Sequence, residues 1–231
     1  MPDMASQNIN ILSCCVGSKY SNNWVYRLSS MVAKNCSAPY RFVCISDRDI
    51  EGIETIESTP SLQGWWAKLD YFRPGLFEGP CISLDLDITI VGDIAELQRE
   101  PLTAARETRR QKKMKSSVMA WEPDGFTDRI WNPNPPASKS RREGFFGDQI
   151  YIANTYPKYH LFGDEVLMFK KHLEGGKVPL PPEAKVVFFN GEPKPHREEV
   201  MQYEWNKITW DGYDLPEMGI AQTTDWKGAV M

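Results

Sequence analysis

Short apolar runs, each closed by turn residues, alternate with helix-spaced stretches through the first part of this chain. Ile9–Val16 (INILSCCV) is β-prone and stops at Gly17, which predicts a first strand. After the polar turn Gly17–Asn23, residues Trp24, Val25, Leu28, Met31 and Val32 recur at helical spacing and predict a helix over Trp24–Lys34. Arg41–Ser46 (RFVCIS) predicts a second strand, closed by Asp47-Arg48-Asp49, and Ile53–Glu57 a short third. Trp65, Leu69 and Phe72 again keep helical spacing, and Pro74-Gly75 stops that helix. Cys81–Leu84 is an apolar strand, interrupted by Asp85 and Asp87 and resumed by Ile88–Val91. This alternation predicts an α/β domain with a mainly parallel central sheet flanked by helices.

The second half is less regular. Ser117–Trp121 predicts a strand, the Pro- and Ser-rich Pro133–Ser140 a loop, Gln149–Ala153 a short helix, and Val186–Asn190 (VVFFN) a late strand before the turn Gly191–Pro195. Residues 203–231 show no periodicity and read as a loosely packed tail. With no internal repeat and no linker, the 231 residues read as a single domain.

Composition and charge narrow the classes. A net charge of −4 argues against a nucleic-acid partner. The basic run Arg106–Lys115 (RETRRQKKMK) is a local exception and reads as a solvated face, or as a place for an anionic acceptor or an anionic membrane surface. The five cysteines are odd in number and form no C-x-x-C pair, the pattern of buried free thiols in a reducing compartment. The first residues carry no basic stretch followed by an apolar one, and no run approaches the ~18 apolar residues of a membrane span, so the expectation is a cytoplasmic protein without membrane association.

The sharpest chemistry lies in CISLDLDITIVGDI, residues 81–94. In a continuous strand Asp85 and Asp87 would share a face, and two carboxylates side by side in an apolar run are costly without a cation. A divalent metal with oxygen ligands resolves the cost, Mn²⁺ or Mg²⁺ being suited to carboxylates and phosphates. A bare D-x-D is equally a strand end with two solvated aspartates.

Residues 66–94, WAKLDYFRPGLFEGPCISLDLDITIVGDI, resemble the central segment of nucleotide-sugar glycosyltransferases of the GT-A fold, in the GT8-like group of glycogenin and bacterial galactosyltransferases; Lys68, Asp85, Asp87, Gly92 and Asp93 match in order. The resemblance extends more weakly over residues 9–197. It implies a nucleotide-binding half at about 8–94, a donor-sugar and acceptor half at about 95–197, and an unassigned tail. It further implies that Asp85 contacts ribose and metal, that Asp87 binds the metal bridging the diphosphate, that Leu86 lies in the donor-binding turn between them, and that Lys68 lies near the carboxylates or donor sugar. Taken alone, Lys68 is a solvated helix lysine.

Other segments follow the same resemblance. Val16, Gly17 and Tyr20 fall where the family holds base and ribose, although Gly17 is also an ordinary strand-end turn and Tyr20 a ring over the sheet edge. Phe145–Gln149 resembles the family's D-Q segment, which makes Asp148 and Gln149 candidates for the reactive face; Asp148 is equally a helix N-cap. Ser116–Met119 resembles the strand lining the donor-sugar pocket. Phe188–His196 resembles H-x-x-G-x-x-K-P-W, with Gly191, Lys194 and Pro195 matching, Phe188 in the metal-ligating His position and His196 in the Trp position. Phe ligates no metal, so Asn190, His196 or water completes the shell.

The implied function is metal-dependent transfer of a hexose from a UDP-linked nucleotide sugar to a hydroxyl acceptor, a saccharide, with retention. A nucleotidyltransferase is the first competitor, but Gly17-Ser18-Lys19-Tyr20 is short and glycine-poor for its phosphate loop. The second is a non-catalytic sugar-nucleotide-binding protein on a degenerate GT-A fold, which Phe188 favours.

Overall fold

The apolar runs pair into a sheet that is buried on both faces. The computed structural model describes residues 8–108, 113–125, 127–136 and 147–211. β1 (Ile9–Cys15) leads to α1 (Asn22–Asn35), β2 (Tyr40–Ser46) and β3 (Glu54–Glu57), and a 3₁₀ helix, Gly64–Phe72, precedes β4 (Cys81–Leu84). There follow β5 (Ile88–Ile90), β6 (Thr103–Arg106), β7 (Met114–Trp121), α2 (Asp148–Thr155), β8 (His160–Leu161), β9 (Val166–Met168) and β10 (Val186–Phe188).

Seven strands form one sheet in the order β3–β2–β1–β4–β7–β6–β8. β1 runs parallel to β2 and β4, β2 to β3 and β6 to β8, while β7 is antiparallel to β4 and β6. Ile9 and Ile11 of β1 pack with Trp24, Leu28 and Val32 of α1, whereas Leu12 packs on the other face with Val43, Leu69 and Phe72. Burial on both faces is why these strands read as near-continuous apolar runs rather than alternating ones.

The order of the strands locates a crevice. The chain leaves β1 for β2 and β3 on one side, then returns to place β4 on the other side of β1. Where the connections diverge, at the carboxyl ends of β1 and β4, an open α/β sheet leaves room for a ligand. Val16 follows one of these ends and Asp85 the other.

Two expectations change here. Ile88–Val91 does not resume β4: β5 belongs to a separate three-stranded sheet, β5–β10–β9, antiparallel to β10. Asp85-Leu86-Asp87 is therefore a turn between two sheets, not a strand interior. Leu86, between the two aspartates, is buried with Leu84 and Ile88 and anchors the turn.

The second change is the tail. Residues 203–211 are packed, while 212–231 lie outside the described residues, as do 1–7, Phe145, Phe146 and part of the predicted 133–140 loop. Trp210 meets Trp24 edge-on at 5.4 Å and carries the Arg27 guanidinium over its ring at 3.9 Å. Arg27 is fully buried, donating to the Ile88 carbonyl at 2.9 Å and to the Thr209 hydroxyl at 2.8 Å. The Thr89 hydroxyl donates to the Asn206 side chain at 2.7 Å. Buried polar partners rather than an apolar stripe hold this segment, so hydrophobic periodicity does not reveal it.

All five cysteines are free. Burial pushes the Cys44 and Cys81 thiols up to about 12 each. A raised acid pKa stabilises the fold fully below the unfolded thiol value of about 8.5, and that contribution is lost as pH rises toward the folded value. The slope is about 1.4 kcal/mol per pH unit for each thiol. The urea midpoint should fall steadily above about pH 9, and less steeply in Cys44→Ala; a midpoint as pH-dependent in that variant as in the parent would remove Cys44 from the account.

Candidate active site

A cavity of about 490 Å³ occupies the crevice between β1 and β4. Six segments wall it, one of them β7, which contributes Ser116 and Ser117. Val16, Lys19 and Tyr20 come from the loop after β1, and Trp65 and Lys68 from the 3₁₀ helix. Asp85, Leu86 and Asp87 form the turn after β4, while Asp148 and Gln149 open α2. Asn190, Gly191, Glu192 and Lys194 follow β10.

Each aspartate of the turn has its own lysine. Lys68 Nζ lies 2.5 Å from Asp85 Oδ1 and 3.7 Å from Asp148 Oδ2. Lys194 Nζ donates to Asp87 Oδ2 and, at 3.3 Å, to the Phe189 carbonyl. The Tyr20 hydroxyl donates to the same Asp87 oxygen at 2.7 Å. Tyr20 is thus a hydrogen-bond support for Asp87, with its ring edge-on to Trp24 at 5.2 Å.

The environments push the two carboxylates apart. For Asp85, burial raises the pKa and the nearby Lys68 does not fully offset it. For Asp87, burial also acts upward, but Lys194 and the hydrogen bonds from Lys194 and Tyr20 outweigh it and hold the pKa low. Burial alone would lower the pKa of Lys68, and the carboxylates of Asp85 and Asp148 hold it instead above the ordinary lysine range.

Asp148 is not the N-cap of α2. That position is Gly147, and Asp148 is the first helical residue. Its carboxylate accepts from the Ser116 hydroxyl and faces Lys68, so it is turned into the cavity. Gly147 lies beside the Trp65 indole, where an added Cβ would make only an ordinary contact with Nε1 at 3.6 Å; its φ of 88° is what favours glycine there.

Several matched residues serve outside the cavity. Gly17 does not line it: its N–H donates to Asp47 Oδ2 at 2.8 Å and its φ is 74°. Gly92 permits close approach of the second sheet, since a Cβ there would lie 2.8 Å from the Ala184 carbonyl oxygen. Asp93 accepts from the Ala95 N–H at 3.0 Å, capping the 3₁₀ helix Ile94–Leu97.

The residues suggested for the metal shell separate. Asp85, Asp87 and Asn190 share the cavity. His196 is not among its lining residues; its ring lies edge-on to Trp24 and near Trp210, at 5.7 and 6.2 Å. Phe188 is fully buried in β10. Among the described residues no group of three or more His, Cys, Asp or Glu side chains forms a complete metal cage. Of the four carboxylates that line the cavity, Asp85 and Asp87 share it with the Asn190 amide, a hard donor set suited to an ion that keeps waters or phosphate oxygens.

Patterning missed Lys19, Trp65 and Glu192 as lining residues. Trp65, three residues before Lys68, carried the available signal: one helical turn separates them, so they share a face. The basic run is a solvated face only in part at its described ends, where Lys113 is exposed. Lys115 is buried and 3.8 Å from Glu107, and Arg106 pairs with Asp164. Lys113, Lys115 and Glu107 instead line a second cavity, of about 770 Å³, which shares Trp65, Asp148, Gln149 and Asn190 with the first. The middle of the run, 109–112, lies outside the described residues.

No helix among the described residues is long and apolar enough to cross a membrane. No protein-family model matches the chain, and no curated protein matches it in sequence. Solved structures do match its fold. The galactosyltransferase LgtC, solved with donor and acceptor sugar analogues, superposes with a TM-score of 0.61 at 12% identity, over 95% of this chain and 99% of that one. The glycosyltransferase GlyE of Streptococcus pneumoniae gives 0.60 at 13% identity over 89% of this chain, and the bifunctional glycosyltransferase WbbM 0.58 at 10% over 91%. The chain spans 64% of the GlyE chain and 52% of the WbbM chain. The α/β architecture with its crevice between β1 and β4 is accordingly the GT-A fold that these glycosyltransferase structures share.

Proposed function

We propose that the chain is a glycosyltransferase that moves a hexose from a UDP-linked sugar to a hydroxyl of a saccharide acceptor, with the help of Mn²⁺ or Mg²⁺ and with retention of configuration. The observation that carries this is the charge pattern of the first cavity. Lys19, Lys68 and Lys194 line it against Asp85, Asp87, Asp148 and Glu192, an excess of one carboxylate. A nucleotide diphosphate brings further negative charge, and a divalent cation held by Asp85, Asp87 and Asn190 would supply the neutralisation that lets the two meet.

The chain's own groups have distinct tasks. Lys68 and Lys194 place cationic donors beside the turn, where charge builds on the departing diphosphate as the glycosidic bond breaks. Asp148 and Gln149 line both cavities, and so stand where a donor sugar in the first would meet an acceptor hydroxyl in the second. Ser116 and Lys68 hold Asp148 in place, which fixes the reactive face. Retention follows the GT8-like resemblance, in which the leaving phosphate accepts the acceptor proton on the donor's front face. The cytoplasm is the compartment expected for it.

Phe188 supports a second reading, a sugar-nucleotide-binding protein without catalysis. One assay separates the two: purified protein, Mn²⁺ and a panel of nucleotide sugars, read by nucleotide release. Release of UDP from at least one donor is expected. A UDP- and Mn²⁺-dependent thermal shift with no release from any donor would favour the non-catalytic reading, and release of pyrophosphate would identify a nucleotidyltransferase.

A further inference from the structure

The second cavity does not end at α2. On its far side lies Tyr159, which also lines a third hollow of about 570 Å³ with Arg106, His160 and Phe162. Three hollows thus run in series, the first and second joined at Trp65, Asp148, Gln149 and Asn190, the second and third at Tyr159. The Tyr159 ring is half-buried against the core of the main sheet. The backbone beside it is fixed by β8: His160 N–H donates to the Leu102 carbonyl at 2.8 Å, and Phe162 N–H to the Ala104 carbonyl at 2.9 Å.

We propose that the second and third hollows are successive subsites for a neutral saccharide chain of two or more sugars, with Tyr159 the platform between them. The proposal rests on the first cavity being the donor site. The second cavity is larger than the first, and its volume is in the range that accepts a drug-sized molecule, roughly 300–1,000 Å³, so it exceeds the needs of one hexose. An aromatic face with hydrogen-bonding side chains around it suits a sugar, whose ring offers C–H faces and hydroxyls together. Among the described residues, two of the three Lys and Arg side chains that line these hollows are already matched, Lys115 by Glu107 and Arg106 by Asp164. Hydroxyl recognition therefore fits better than capture of a polyanion.

The test is a glycan array running from single sugars to hexasaccharides, neutral and acidic, probed in the presence of UDP and Mn²⁺. The bound members should be neutral chains of two or more sugars. Tyr159→Phe should keep that binding, and Tyr159→Ala should weaken it about tenfold, the worth of an aromatic contact of about 1.4 kcal/mol. Binding that ignores chain length, binding restricted to acidic chains, absence of chain binding, or a Tyr159→Ala profile like the parent's would each overturn the proposal. The length dependence of the parent protein is a test without any variant. Calorimetry of UDP with Mn²⁺ on the same preparation separates the two levels: no UDP binding defeats the donor-site reading, whereas UDP binding without length-dependent glycan binding defeats this proposal alone.

Discussion

Asp87→Asn should cost the protein at least about a hundredfold in Mn²⁺-dependent UDP affinity while leaving it folded. Asparagine keeps the shape and an oxygen for Tyr20 and Lys194, both of which donate to Asp87 Oδ2. It removes the charge that the cation would use, and even outer groups around a bound metal cost 10–100-fold when altered, about 1.4–2.7 kcal/mol. Titration calorimetry with and without Mn²⁺ measures the change. An unchanged Mn²⁺-dependent affinity would take Asp87 out of the metal site; an equal loss with and without the ion would make its role that of holding Lys194.

Lys68→Met should be strongly destabilising. The Lys68 side chain is 14% exposed and Asp85 22%, so the pair is largely withdrawn from water. Removing one partner of a buried pair costs about 3–5 kcal/mol. The sign with pH follows from Asp85. Burial raises its pKa, and the loss of the opposing Lys68 charge raises it further. Protonation then relieves the unpaired charge, so the deficit should be largest at neutral pH and shrink as the medium is acidified toward the pKa of a carboxyl. Urea midpoints of parent and variant at neutral and mildly acidic pH check this, and a gap that widens on acidification would contradict it.

How far the sequence anticipates this site depends on what kind of force holds each part. β1, α1, β2 and β4 are legible because each buries an apolar stripe or run between turn signals. Lys68, Asp85, Asp87, Asp148, Gln149, Asn190, Gly191 and Lys194 do meet in one cavity, as the order of motifs suggests. In the second sheet the runs of β5 and β10 read as strands, but β9 and the separation of β5 from β4 do not, because these strands are three residues each and buried throughout, leaving no alternation to detect. The lysine partners of the two aspartates and the removal of His196 into a tryptophan cluster arise from long-range packing, which local patterning does not encode.

The contacts around β5 also bear on the order in which the molecule is assembled. Arg27 reaches Thr209 across 182 positions of chain, and Thr89 reaches Asn206 across 117. Synthesis adds about 5–20 residues per second. For several seconds, therefore, α1 and the aspartate turn exist without the residues that close over them. Until Trp210 arrives, the Arg27 guanidinium has no ring to lie on and Thr89 has no amide to donate to. The strand leading out of the aspartate turn is consequently among the last parts of the domain to lock, and the cavity beside that turn should take its shape only once residues 206–210 are in place, rather than with the segment that carries the motif.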